Sequence, residues 1–264
     1  MSVKTSNFIT ALEKLAPPEI QEEWDNSGWQ IDLHREKIGR ILVALEVTSD
    51  VIREAADVKA DLILTHHPLF FTPVKQIDVR ASDPTALYAA TLIAAGVPVY
   101  SAHTSFDSAD NGMNVWLARM FGLSGIAGFP NPAPGAVAIG RKGVLPVPAK
   151  LSELISKAES FFGMKGRLKV IGYPDLQISS VAVCGGGGGE FVKDAISEGI
   201  DLYITSDLKH HEGQWAREHG LALIDGGHWG TEKHFVRVVS YFLNKVFGDN
   251  LSIVESRVSA DPFR

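Results

Sequence analysis

The histidines of this chain stand in a few short segments, most of them beside carboxylates. His66 and His67 are adjacent and are followed at once by Pro68. His103 has Asp107 four positions on, and His228 has Glu232 at the same spacing. Neutral imidazole and carboxylate together are ligands for borderline divalent metals. This many groups exceed what one tetrahedral zinc needs. They suit two ions about 3.5–4 Å apart, bridged by a carboxylate and by water or hydroxide. Such a pair lowers the pKa of bound water and clamps a charged oxygen, chemistry that serves hydrolysis of an amide, an amidine or a phosphate ester. Each piece alone is commonplace. A His-x-x-x-Glu pair often only decorates a helix, and paired loop histidines are often simply exposed. Their joint occurrence at equivalent places is what points to a metal.

The elements that must position these groups follow from hydrophobic pattern and breakers. Residues 38–45 read as a strand, 49–59 as a helix and 62–65 as the next strand, a βαβ unit with parallel pairing and a right-handed crossover. Pro68 cannot donate to a ladder, so the second strand stops near it. Neighbouring residues on a regular strand face opposite ways. His66 and His67 can therefore both ligate only if the chain leaves strand geometry at Thr65 or His66, which Pro68 favours. A helix over 84–95, closed by Gly96, leads into a third strand over 97–101 that runs into His103.

The second half repeats this order, with a strand over 180–184, a helix over 189–198 and a strand over 202–205. Asp61-Leu62-Ile63-Leu64-Thr65 overlies Asp201-Leu202-Tyr203-Ile204-Thr205. Each copy continues into a helix and a last strand, 97–100 or 221–224, followed by the His-x-x-x-acid pair. The expected fold class is therefore α/β: two similar, interlinked α/β domains from an internal duplication of βαβ units, with the metal site between them. The first domain is expected to span 1–125 with the C-terminal 236–264, and the second 126–235. The Pro- and Gly-rich stretch 130–135 reads as the boundary.

Other groups leave alternatives open. His103 and His211 are the candidate catalytic residues, as proton shuttles. His210 and His211 also read as an ordinary polar helix start. The glycine run 185–189 follows a strand and opens a helix, where amides can cradle phosphate, yet Glu190 stands where a dinucleotide fingerprint needs glycine. A tight turn admitting a close backbone approach is the equal alternative. Trp24 and Trp29 serve either as anchors under a turn or as walls of a small-molecule site.

Composition bounds the rest. A net charge of -6 and a pI near 5.8, with Lys and Arg scattered, give no nucleic-acid surface. No apolar run has the length needed to span a bilayer, so no membrane partner is expected. The lone Cys184 permits no internal disulfide, and the cytoplasm is the expected location.

Five segments occur together in one order: Trp24-Asp25-Asn26-Ser27-Gly28-Trp29-Gln30, His66-His67-Pro68, Ala102-His103-Thr104-Ser105-Phe106-Asp107, Thr205-Ser206-Asp207-Leu208-Lys209-His210-His211 and Gly227-His228-Trp229-Gly230-Thr231-Glu232. In this the chain resembles the NIF-three-like family, whose members are often called GTP cyclohydrolase I type 2 homologues. The resemblance implies two divalent ions per chain (Zn, Fe or Mn), held by His66, His67, Asp107, His228 and Glu232. Glu232 would bridge them, with His103 close by. It also implies a homo-oligomer, a toroidal hexamer. Ser206 stands where the family commonly has glycine. The function expected is a metal-dependent hydrolase acting on a small molecule. A non-catalytic metal-handling or adaptor protein is the alternative.

Overall fold

Apolar runs of four or five residues, cut short by turn residues, become strands whose side chains are buried on both faces, as in Leu62–Thr65, Leu202–Thr205 and Ala222–Asp225. Helices flank them. The computed structural model, which describes residues 1–78, 80 and 83–263, is a mixed α/β protein. Its chain divides into two compact units, Met1–Phe106 with His234–Arg264, and Asp107–Lys233.

The first unit carries a five-stranded sheet in the order Ser252–Glu255, Arg40–Ala44, Leu62–Thr65, Val99–Ser101, Gly28–Ile31. The first four strands are parallel and the last is antiparallel. The crossover helix Ser49–Asp57 starts at Thr48, whose hydroxyl accepts the Val51 amide. The second crossover helix, Thr85–Ala95, stops at Gly96 in the left-handed region. One core fills the space between this sheet and its crossover helices, with Leu42, Ile63, Val99, Val51 and Leu92 buried.

The second unit has a six-stranded sheet in the order Ser124–Phe129, Gly140–Lys150, Gln177–Val183, Leu202–Thr205, Ala222–Asp225, Lys169–Ile171. Its three central strands from Gln177–Val183 to Ala222–Asp225 are parallel, and the flanking pairings are antiparallel. Residues 130–135 lie in the loop joining Ser124–Phe129 to Gly140–Lys150. The helix expected over 189–198 is broken into a 3-10 turn, Gly189–Phe191, and a shorter helix, Val192–Ser197.

The first sheet thus has four parallel strands with an antiparallel strand at one edge, and the second has three parallel strands with antiparallel strands on both sides. In each, the chemistry-bearing residues follow the carboxyl ends of the parallel strands, where ligands bind in open α/β sheets. His66 follows Leu62–Thr65 and His103 follows Val99–Ser101. Asp207 follows Leu202–Thr205 and His228 follows Ala222–Asp225.

Candidate metal centre

In the first unit the chain leaves strand geometry at His66. The amides of His66 and His67 both donate to the carbonyl of Leu45, at 3.0 and 2.9 Å, which two successive residues of a regular strand cannot do. The Thr65 and Ser101 hydroxyls both donate to the carbonyl of His67, which pins the turn. Both imidazoles consequently face the same side, with ring centroids 5.2 Å apart.

His103 joins them. Its ring centroid lies 5.0 Å from that of His66 and 5.6 Å from that of His67. Each of the three offers a nitrogen within 4.8 Å of the others. His66 and His103 are buried. Burial pushes the His103 imidazole below its usual pKa despite the Asp25 carboxylate, and His66 and His67 push the same way. The ring is therefore neutral near pH 7 and able to ligate.

His66 and His103 are held through Nδ1, and Nδ1 of His67 faces a carboxylate at longer range. In His66 that nitrogen is 2.9 Å from the carbonyl of Ala102. In His103 it is 2.8 Å from Oδ1 of Asp25, and in His67 it is 3.7 Å from a Glu46 carboxylate oxygen. Burial works against charge on Asp25. The hydrogen bond and electrostatic pull of His103, with hydrogen bonds from Thr104 and Ser27, more than offset it and hold the carboxyl well below the usual range.

The second unit presents a matching arrangement. His228 and Glu232 occupy the first and last positions of the helix His228–Glu232, which starts after Gly227 at a φ of 70°. The i, i+4 spacing puts Nε2 of His228 3.1 Å from Oε2 of Glu232. Nδ1 of His228 is 2.6 Å from Oδ2 of Asp207. Asp107 and Glu232 are buried. Beside Asp107, the buried Arg141 guanidinium donates to the carbonyls of Ser108 and Ala109 and so caps the end of the helix Thr104–Ser108.

The glycine run belongs to this arrangement as a close approach. The Gly185 amide donates to Asn114, that of Gly186 to Thr231 and that of Gly188 to Thr205. A Cβ at Gly186 would run into the Glu232 carboxylate, and one at Gly189 into that of Glu212. Amides already spent on side chains, beside carboxylates, make a poor phosphate cradle.

The sequence-derived candidates separate accordingly. His66, His67 and His103 come together in one unit, and His228 and Glu232 in the other. His211 is exposed and lies 3.3 Å from the Gln214 side chain. Trp29 is an anchor, edge-on to Tyr100 at 5.2 Å. Trp24, 61% exposed, and Phe71, 55% exposed, both stand edge-on to the His103 ring. The carboxylates behind the rings, Asp25, Glu46 and Asp207, had no local spacing to reveal them. Asp25 and Asp207 each stood in a segment that carries the resemblance, and Asp207 also stands just past a strand end in the place that His67 holds in the other half.

The profile of the Duf34/NIF3 family (NGG1p interacting factor 3) matches residues 3–262. The chain belongs to this family. It is 34% identical, over 98% of both chains, to a GTP cyclohydrolase 1 type 2 homolog of Streptococcus pneumoniae. It is 39% identical, over 88% of each, to a protein of the same name from a Nostoc species. Among solved folds, the Bacillus cereus protein related to NIF3 superposes with a TM-score of 0.87 at 22% identity, covering 99% of both chains. Reduced HcgD from Methanocaldococcus jannaschii superposes at 0.83 with 25% identity, covering 98% of this family member and 99% of that chain. Among the described residues, no helix is long and apolar enough to cross a membrane.

Proposed function

We propose that this chain holds two divalent ions, through His66 and His67 of the first unit and Asp107, His228 and Glu232 of the second. Glu232 would ligate both ions, and His103 would stand beside them. The observation that carries the reading is the group His66, His67 and His103, three imidazoles within ligating reach of one another, with His103 kept neutral by burial. The donor set fits Zn, Fe or Mn. Chain connectivity supports pooling ligands from both units. The chain passes from one unit to the other at Phe106–Asp107 and at Lys233–His234, directly beside Asp107 and Glu232. The parallel strand orders of the two sheets support an origin by internal duplication.

On this reading the protein is a metal-dependent hydrolase of a small molecule with a polar scissile bond. Divalent ions bound there supply Lewis acidity and a coordinated water of lowered pKa. The remaining work falls to the chain. Nε2 of His103 takes up a proton and returns it to the leaving group. Trp24 and Phe71 offer apolar surface around that ring. A cytoplasmic homo-oligomer, a hexamer, completes the proposal, which native mass spectrometry checks.

To test it, the protein is loaded with Zn, Mn or Fe and screened against nucleotides, cyclic amidines and small phosphoesters. Turnover that tracks metal occupancy is expected. No turnover at full occupancy would favour the second reading, a metal-handling or adaptor protein. That reading draws on the family description itself, in which "NGG1p interacting factor 3" names a partner and not a reaction. Glu232→Ala is expected to lower bound metal more than His103→Ala, because a bridging ligand holds both ions. The reverse order would remove the bridging assignment.

A further inference from the structure

We infer that Asp25 and Asp207 are positioning residues that hold the proton of their histidine on Nδ1: Asp25 leaves Nε2 of His103 as the proton acceptor beside the centre, and Asp207 leaves Nε2 of His228 to ligate a metal. The inference rests on the metal-binding reading above and extends it to residues outside the ligand set.

Asp25 is built for this. Its side chain is fully buried. Oδ1 receives Nδ1–H of His103 at 2.8 Å and the Asn26 amide at 2.7 Å. Oδ2 receives the Thr104 amide at 3.0 Å, the Thr104 hydroxyl at 2.6 Å and the Ser27 hydroxyl at 2.8 Å. An ionised carboxylate only accepts hydrogen bonds, so the proton between it and the imidazole sits on Nδ1 and the lone pair on Nε2. The second unit repeats the device with different local structure. Asp207 reaches Nδ1 of His228 at 2.6 Å from a left-handed backbone with a φ of 56°, a conformation Asp and Asn tolerate better than most residues. His228 Nε2 is thereby aimed at Glu232. His66 obtains the same tautomer from the carbonyl of Ala102. Nδ1 facing an oxygen therefore recurs in both units on separate elements. A carboxylate behind a ligating histidine fixes its orientation and raises its basicity, and losing it typically costs about 10–100-fold in metal affinity.

A purely structural role is the competing account, since Asp25 also fastens its loop to the helix Thr104–Ser108. Tautomer spectroscopy separates the two. The full chain, labelled with ¹⁵N at histidine and stripped of metal, is examined by long-range ¹H–¹⁵N correlation, and Mn²⁺ alone is then titrated into it. Wild type is expected to show Nδ1–H in both His103 and His228, with a bare Nε2 in His103; Nε2 of His228 faces the Glu232 carboxylate at 3.1 Å and gives up its own proton only as Mn²⁺ binds. Asp25→Asn is expected to lower the Nδ1–H population of His103 alone and to leave Mn²⁺ affinity near wild type, since His103 is not a ligand. Asp207→Asn, which keeps the left-handed backbone, should lower the Nδ1–H population of His228 alone and weaken Mn²⁺ about 10–100-fold. Thr104→Val removes one hydroxyl donor from Asp25, leaves the backbone amide's bond to it in place and does not touch the imidazole, so both readouts should stay near wild type.

The inference is overturned if wild-type His103 or His228 lacks a proton on Nδ1. It is equally overturned if the Asn variants lower the melting temperature while tautomer and Mn²⁺ affinity stay at wild-type values. If wild type binds no Mn²⁺ at all, the metal reading falls. The tautomer arms, together with the wild-type spectrum, then decide the positioning claim alone, even where Asp25→Asn fails to fold.

Discussion

Tyr100 and Tyr203 show how strongly these sheets withhold water from polar groups. Burial raises the phenol pKa of Tyr100, and Glu13, to which its hydroxyl donates, raises it further. Burial also raises Tyr203 well above its usual value, and its hydroxyl donates to the Gly188 carbonyl at 2.8 Å. The folded chain thus keeps protons that the unfolded chain releases above about pH 10. Stability is therefore full below that pH and falls as pH rises through it. Ultraviolet titration of wild type against Tyr100→Phe and Tyr203→Phe should show no phenolate from either residue until circular dichroism reports unfolding. Ionisation in the native chain would contradict the burial argument. Cys184, buried and with its thiol pKa raised by burial, should likewise resist alkylation until the chain is unfolded. At this scale the sequence was partly legible. Histidine and carboxylate announce their chemistry by type, so the candidate ligands could be named. Asp25 could not be paired with His103, because only the fold joins positions 78 residues apart.

Among the elements, the strand ends and the glycine loop carry the site. The bend after Leu62–Thr65 follows from proline's effect on the residue before it and could be anticipated from Pro68. The short antiparallel strands Gly28–Ile31 and Lys169–Ile171 could not. They have little periodicity of their own and exist because a neighbouring edge offers hydrogen bonds. Residues 130–135 carry the same breaker signal as a linker, yet they join two paired strands of one sheet. The glycine loop yields a sharper expectation. Gly186 has a φ of 68° and no room before Glu232, whereas a Cβ at Gly187 would meet its nearest atom at an ordinary 3.4 Å. Gly186→Ala should cost about 1–3 kcal/mol in denaturant unfolding. Gly187→Ala should stay within about 0.5 kcal/mol of wild type. Equal losses would mean that the loop is not shaped by its approach to Glu232.

For the whole molecule, the reading makes the metal part of the stability as well as of the chemistry. A ligand that binds only the folded chain adds about 2.7 kcal/mol at 100 times its Kd. Mn²⁺ should therefore raise the melting temperature of wild type and leave Glu232→Ala nearly unmoved. The α/β class was legible from the spacing of strands and helices. The unit of His66, His67, His228 and Glu232 follows from the expected domains, but that of Asp107 does not, because the chain leaves the first unit at Phe106 and not near residue 125, a point marked by no breaker. That division places His66 and His67 in one unit and Asp107, His228 and Glu232 in the other, and under the proposed function all five ligate metal. Counting metal per chain by mass spectrometry, on wild type and on His66→Ala and Glu232→Ala purified without chelator, tests it most directly. About two ions per chain in wild type, with a loss from either substitution, is the expected result. Only trace metal in wild type, or a count that neither substitution changes, would contradict it.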